Sequence, residues 1–77
     1  MEIVSPEKVI FTGSVESATF PGAMGSFTVL YNHAPLISVL DRGIMRWTHD
    51  SQEQTLSVSG GFVEVENNNV TVCVEII

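Results

Sequence analysis

"VTVCVEI", residues 70–76, alternates apolar and polar side chains almost without a break. Val70, Val72, Val74 and Ile76 fall on one face, while Thr71, Cys73 and Glu75 fall on the other. Successive side chains of a β-strand point to opposite sides, so the run reads as a strand with one buried face. Working back along the chain, Leu56 and Val58 alternate with Thr55, Ser57 and Ser59. Phe27, Val29 and Tyr31 point one way and Thr28 and Leu30 the other. Met45 and Trp47 oppose Ile44 and Arg46, which predicts a strand covered on both sides or lying near a contact. A 3.6-residue period sustained over three turns occurs nowhere, so no long helix is expected.

Turn chemistry separates these runs: "TG" at 12–13, "PGAMG" at 21–25, "DRG" at 41–43, "HDS" at 49–51, "SGG" at 59–61 and "NNN" at 67–69. Gly and Asn tolerate the positive φ that tight turns need. Ser59-Gly60-Gly61 reads more narrowly as a bulge or a close strand crossing. Short strands at this spacing predict an all-β fold, an antiparallel sandwich or flattened barrel. Seventy-seven residues make a single domain, 1–77. A chain of that size buries about 60–70% of its unfolded surface, for a stability of about 4–12 kcal/mol.

Charge narrows the function classes. Nine acids against Lys8, Arg42 and Arg46 leave a net charge of -6. Duplex nucleic acid is bound by releasing counterions with several Lys or Arg, so no nucleic-acid partner is expected. Anionic lipid is disfavoured on the same ground. No apolar run approaches the length of a bilayer span, so no direct membrane insertion is expected. Cys73 is the single cysteine; it forms no intrachain disulfide and belongs to no CxxC metal site. The opening "MEIVSPEK" has no cationic start followed by a long apolar segment, so a signal peptide is not expected and a cytoplasmic setting is.

Bond-making chemistry finds no support in the spacing. "GAMGS" places its serine after the second glycine, unlike the GxSxG elbow of acyl-transfer enzymes. Glu64 and Glu66 share one strand face, where an acid/base pair is conceivable and a solvated polar face is the simpler reading. His33 and His49 stand too far apart for a paired-histidine metal motif. His49 reads as an exposed turn residue and Cys73 as an inert thiol on the polar face of its strand. "PGAMGS" lacks the lysine and the helix of a phosphate loop. No catalytic residue, metal or cofactor is expected.

What remains is a contact surface. Met24 sits at a loop tip beside two glycines, where no core receives it, and flexible methionine suits a contact role. In "NHAPLIS", 32–38, Pro35 holds Ala34 extended and stiffens the path. Leu36 and Ile37 are strand neighbours, so one points to the core and the other outward. On residues alone the chain is a small acidic β-sandwich built for binding. A stand-alone module for sugars or peptides is the alternative, and it requires an exposed aromatic platform, for which Trp47 is the one tryptophan.

Two longer stretches, "FTGSVESATFPGAMGSFTVLYNHAPLISVLDRGIMRW" and "LSVSGGFVEVENNNVTV", together closely resemble the amino-terminal domain of the F-type ATP synthase epsilon subunit. The opening "EIVSPEKVIFTG" resembles that family's first hairpin, so the likeness covers nearly the whole chain. The resemblance implies a ten-stranded antiparallel β-sandwich in a non-catalytic subunit of the proton-transporting ATP synthase. It implies a rotor position at the cytoplasmic face of a bacterial inner membrane, joining the gamma subunit to the c-ring and coupling rotation to ATP synthesis. Carried over residue by residue, Met24, Ser26 and His33 become c-ring contacts. Ser5, Leu36, Ile37 and Ser38 become gamma-subunit contacts. Many relatives carry an acid where Ser26 stands, so a hydrogen bond or Met24 packing replaces a charged contact. Relatives also continue into a helical hairpin that inhibits hydrolysis and in some binds ATP. The sequence as given ends at Ile77, so neither self-inhibition nor nucleotide binding is expected of it.

Overall fold

The computed structural model describes all residues, 1–77. Eight strands follow one another: β1 (Glu2–Val4), β2 (Val9–Thr12), β3 (Ser17–Phe20), β4 (Phe27–Leu30), β5 (Leu36–Leu40), β6 (Gly43–His49), β7 (Gln52–Glu66) and β8 (Asn69–Ile76). There is no helix. Hydrogen bonding links the strands in the order β2-β1-β8-β7-β6-β3-β4, with β5 also paired to β7.

A single long hairpin explains the architecture. Residues 36–49 run antiparallel to 52–66, first as β5 against the second half of β7, then as β6 against the first half. At residues 58–60 the β7–β8 register shifts by a bulge, and Asp41-Arg42 interrupts the other arm. The hairpin therefore bends there and enters two layers. One layer is β5, the second half of β7, β8, β1 and β2; the other is the first half of β7, β6, β3 and β4. Gly61 makes the bend possible: its φ is +146°, and a Cβ there would overlap the Cys73 carbonyl oxygen. Only glycine enters that conformation at low cost.

The bulge also explains a switch of face along β7. Val58 is buried, and so are Val63 and Val65, although these last two have opposite parity to Val58. One extra residue in the strand restores both apolar sets to the interior. Val70, Val72 and Val74 join them from β8, Ile3 from β1, Met45 and Trp47 from β6, and Ala18 and Phe20 from β3. Together with Val29 and Leu40 these form one buried cluster with no buried polar or charged residue. Phe11 of β2 lies 5.4 Å from the Trp47 ring, closing the layers against each other between strands that share no ladder.

The all-β sandwich predicted from alternation is the fold observed, with two differences of detail. The strands number eight rather than ten, and β7 serving both layers as one continuous element accounts for one of the two. The sheet is mixed rather than wholly antiparallel, since β1 lies parallel to β8. No turn joins those two strands, so nothing forces them to run in opposite directions. Tyr31, grouped with Phe27 and Val29 by pattern, is 80% exposed because β4 ends one residue before it. β6 is covered on one side only: Met45 and Trp47 are buried while Ile44 and Arg46 face out.

Candidate interaction surface

The two layers present different outer faces. On the β5-to-β2 layer, direct cross-strand pairing aligns Val39 with Phe62, Phe62 with Cys73, Cys73 with Val4, and Val4 with Val9. Paired neighbours share a face, so these five side chains form a row across the whole layer. Val39, Phe62 and Val9 are 63%, 48% and 58% exposed, and Cys73 and Val4 are half-buried between them. Ile37, 75% exposed, pairs with Glu64 in the adjacent row. Glu64 and Glu2 flank the apolar row on that side and Glu75 on the other.

The opposite layer is more polar outside, although Leu30 and Ile44 are 58% and 49% exposed there. Thr28, Thr19, Arg46 and Thr55 align there, and the hydroxyls of Thr19 and Thr28 lie 2.8 Å apart. Arg46 approaches Glu53 at 3.8 Å, an exposed pair that contributes at most about 1 kcal/mol. The apolar row on one face and the threonine–arginine array on the other make the two outer faces chemically unlike.

The gamma-side candidates divide by orientation. Ser5 borders a shallow groove with Gly61, Phe62, Cys73 and Glu75, which places it on the apolar outer face. Its Oγ lies within hydrogen-bond reach of both the Lys8 amide and the Lys8 carbonyl, setting the turn after β1. Leu36 packs against the core and Ile37 points out, the one-in, one-out split expected of neighbours. Ser38 pairs with buried Val63, so its side chain turns inward and its hydroxyl donates to the Val39 carbonyl. Ser5 and Ile37 thus share one face, bridged by Phe62 and Val39, while Leu36 and Ser38 support it from behind.

The c-ring candidates separate along the chain path. Met24 and Ser26 lie on the connection before β4, and His33 on the one after it, so the three occupy both ends of that strand. Met24 is 99% exposed at the tip of a braced loop. Ala23 donates to the Val39 carbonyl and Gly25 to that of Gly22. A Cβ on Gly22 would come within 2.6 Å of the Gly25 oxygen and 2.8 Å of the Phe27 ring, so the turn closes only on glycine. Leaving a methionine side chain in water forgoes about 1.5–3 kcal/mol of burial. Ser26 is exposed beside it.

His33 is half-buried, and its Nδ1–H donates to the Ala34 carbonyl at 2.7 Å. The turn bearing it is clamped from outside β4 and β5: the Asn32 amide donates to Asn68 Oδ1 at 2.7 Å, and Asn68 Nδ2 donates to Asn32 Oδ1 at 3.1 Å. Both asparagines hold positive φ, 64° and 63°. The pair ties the β4–β5 turn to the β7–β8 hairpin.

Other sequence candidates resolve differently. His49 ends β6 and is half-buried rather than an exposed turn residue: its Nδ1–H donates to the Ser14 carbonyl and its ring meets Phe11 edge-on. Cys73 lies in the apolar row, not on a polar face, because Phe62 and Val4 are its cross-strand partners. Glu64 and Glu66 are exposed on a shared face. No group of three or more His, Cys, Asp or Glu is placed to hold a metal ion. Trp47 is 4% exposed, so it offers no platform for a sugar or peptide. Residue reasoning missed Val4, Val9, Val39 and Phe62. For Val39 and Phe62 a signal was present in "ISVL" and "GFVEV", where apolar residues occupy both parities of one strand; Val4 and Val9 had none.

Comparison with known proteins agrees with the fold. The whole chain, residues 1–77, matches the family described as ATP synthase, Delta/Epsilon chain, beta-sandwich domain. It is 40% identical over 72 residues to the ATP synthase epsilon chain of Leptospira interrogans serovar copenhageni, covering 94% of this chain and 57% of that one. To the ATP synthase epsilon chain of Carboxydothermus hydrogenoformans it is 42% identical, covering 94% of this chain and 54% of the relative. The chain thus spans just over half the length of these relatives. Its fold superposes with a TM-score of 0.83 on a chain in the Tetrahymena thermophila mitochondrial ATP synthase central stalk and c-ring structure, at 16% identity, covering 96% of this chain and 60% of that one. With its full length matched, this chain belongs to the ATP synthase delta/epsilon family and constitutes that family's β-sandwich domain.

Proposed function

We propose that the chain acts as the sandwich part of a non-catalytic central-stalk subunit of an F-type ATP synthase, joining the gamma subunit to the c-ring. The complex would sit at the cytoplasmic face of a bacterial inner membrane, and rotation passing through the stalk would be coupled to ATP synthesis. Family membership supports the complex. The observation that carries the docking role is the Val39–Phe62–Cys73–Val4–Val9 row on one outer face. Burying such a row against a partner removes apolar surface from water, at about 25 cal/mol per Å². The flanking carboxylates of Glu2, Glu64 and Glu75 select a partner surface that is apolar in the middle and basic at its edges.

In this reading gamma lies across the row, with Ser5 and Ile37 at its margin and Leu36 and Ser38 behind. Met24 and Ser26 reach toward the polar loops of the c-ring, with His33 at the opposite end of β4. A close-packed two-layer core suits torque transfer, because protein interiors are dense and little compressible. Co-purification with the gamma subunit tests the proposal. Val39→Glu with Phe62→Glu, both on the outer face, leaves folding intact by circular dichroism and abolishes co-purification. Retained co-purification with the double variant contradicts it.

A further inference from the structure

Met24 is presented to solvent in a way that neither of the other methionines shares. It is 99% exposed, whereas Met45 is 0% exposed and Met1 is half-buried against the core. Its loop does not fold it back. Ala23 is hydrogen bonded to the Val39 carbonyl and Gly25 to Gly22, and space at Gly22 is closed by the Phe27 ring. Apart from its chain neighbours Met24 and Ser26, nothing lies within 4 Å of the point where a Gly25 Cβ would stand, so one side of the tip is open. A braced turn therefore holds one thioether out in water.

We infer that Met24 is a peroxide-sensitive modification site, at which sulfoxidation weakens docking of this domain. The inference rests on the proposed stalk role, in which Met24 packs against the c-ring side. In the reaction the thioether sulfur attacks one oxygen of hydrogen peroxide, and the proton on that oxygen passes to the departing hydroxide. The O–O bond breaks, an S=O bond forms, and water leaves; sulfur is oxidised by two electrons and the peroxide is reduced. The product is polar and chiral where the thioether was apolar and flexible. A contact made by dispersion and burial then has to desolvate a strongly accepting S=O group, which opposes association. Met45 is sheltered by the core, so brief exposure leaves the fold unaltered. Docking itself covers the tip and protects it, which confines the modification to chains outside the complex.

The test treats the 77-residue chain briefly with hydrogen peroxide and maps oxygen addition by peptide mass spectrometry. Binding to the same organism's gamma–c-ring subcomplex is then titrated for treated and untreated chain. Oxygen addition at Met24 ahead of Met45, binding weakened about tenfold, and recovery with methionine sulfoxide reductase are expected. In Met24→Leu, treated and untreated chains bind alike, whatever that variant's starting affinity. Equal binding before and after complete Met24 oxidation overturns the inference and leaves the stalk reading standing. So does an equal loss on treatment in Met24→Leu. An untreated chain that does not bind the subcomplex overturns the stalk reading, and the inference with it.

Discussion

Gly61 holds a φ of +146° with its missing Cβ pointed at the Cys73 carbonyl, and Gly25 holds +123° with nothing near it. The same substitution therefore separates two costs. Gly25→Ala meets backbone strain alone, on the order of 1–2 kcal/mol. Gly61→Ala meets strain and overlap with a backbone oxygen that cannot rotate away, so it costs about 3 kcal/mol or more. In a domain of this size that lowers Tm by more than about 12 °C, against about 4–16 °C for Gly25→Ala, whose range begins well below. Thermal unfolding of the two variants checks the order; equal melting temperatures would show that β7 does not depend on its bend. At this scale the sequence was partly legible. "SGG" announced a bulge or crossing, and Met24 announced an exposed tip, because both rest on local backbone chemistry. Which of Leu36 and Ile37 faces outward was not legible, since that depends on the partner Glu64 and on a register set far along the chain.

At the scale of elements, β7 is the organising strand. Its second half is paired on both sides, by β5 and β8, and sends Val63 and Val65 into the core at 0% and 2% exposure. β2 and β4 end the path and are paired on one side only. Native-state amide exchange follows this difference. The Val63 and Val65 amides exchange only on global opening, at about 4–12 kcal/mol, while outward amides of β4 exchange through local fraying. Uniform protection across β4 and β7 would contradict the arrangement. β8 was readable as a strand from residues 70–76 because one face is buried and the other is not. β7 was readable only in part: its bulge reverses which parity is buried, so no single period runs through 52–66. The parallel β1–β8 pair was unreadable, because a pairing between chain ends leaves no trace in local periodicity.

At the scale of the whole molecule, the proposed role is that of a stiff body with one apolar face for gamma and a separate loop tip for the c-ring. The core is a single cluster of 13 buried residues with no buried polar side group other than the Trp47 indole, whose Nε1–H has no partner in the protein. Outside that core, the apolar row and the Thr–Arg array lie on opposite layers. The row escaped sequence reading because its members come from five strands and meet only after folding. A photo-crosslinking residue at position 62, on the apolar face, or at position 46, on the polar face, distinguishes the two directly. With the chain bound to its gamma–c-ring subcomplex, crosslinks to gamma are expected from position 62 and none from position 46. Crosslinks from position 46 alone would contradict the proposed role.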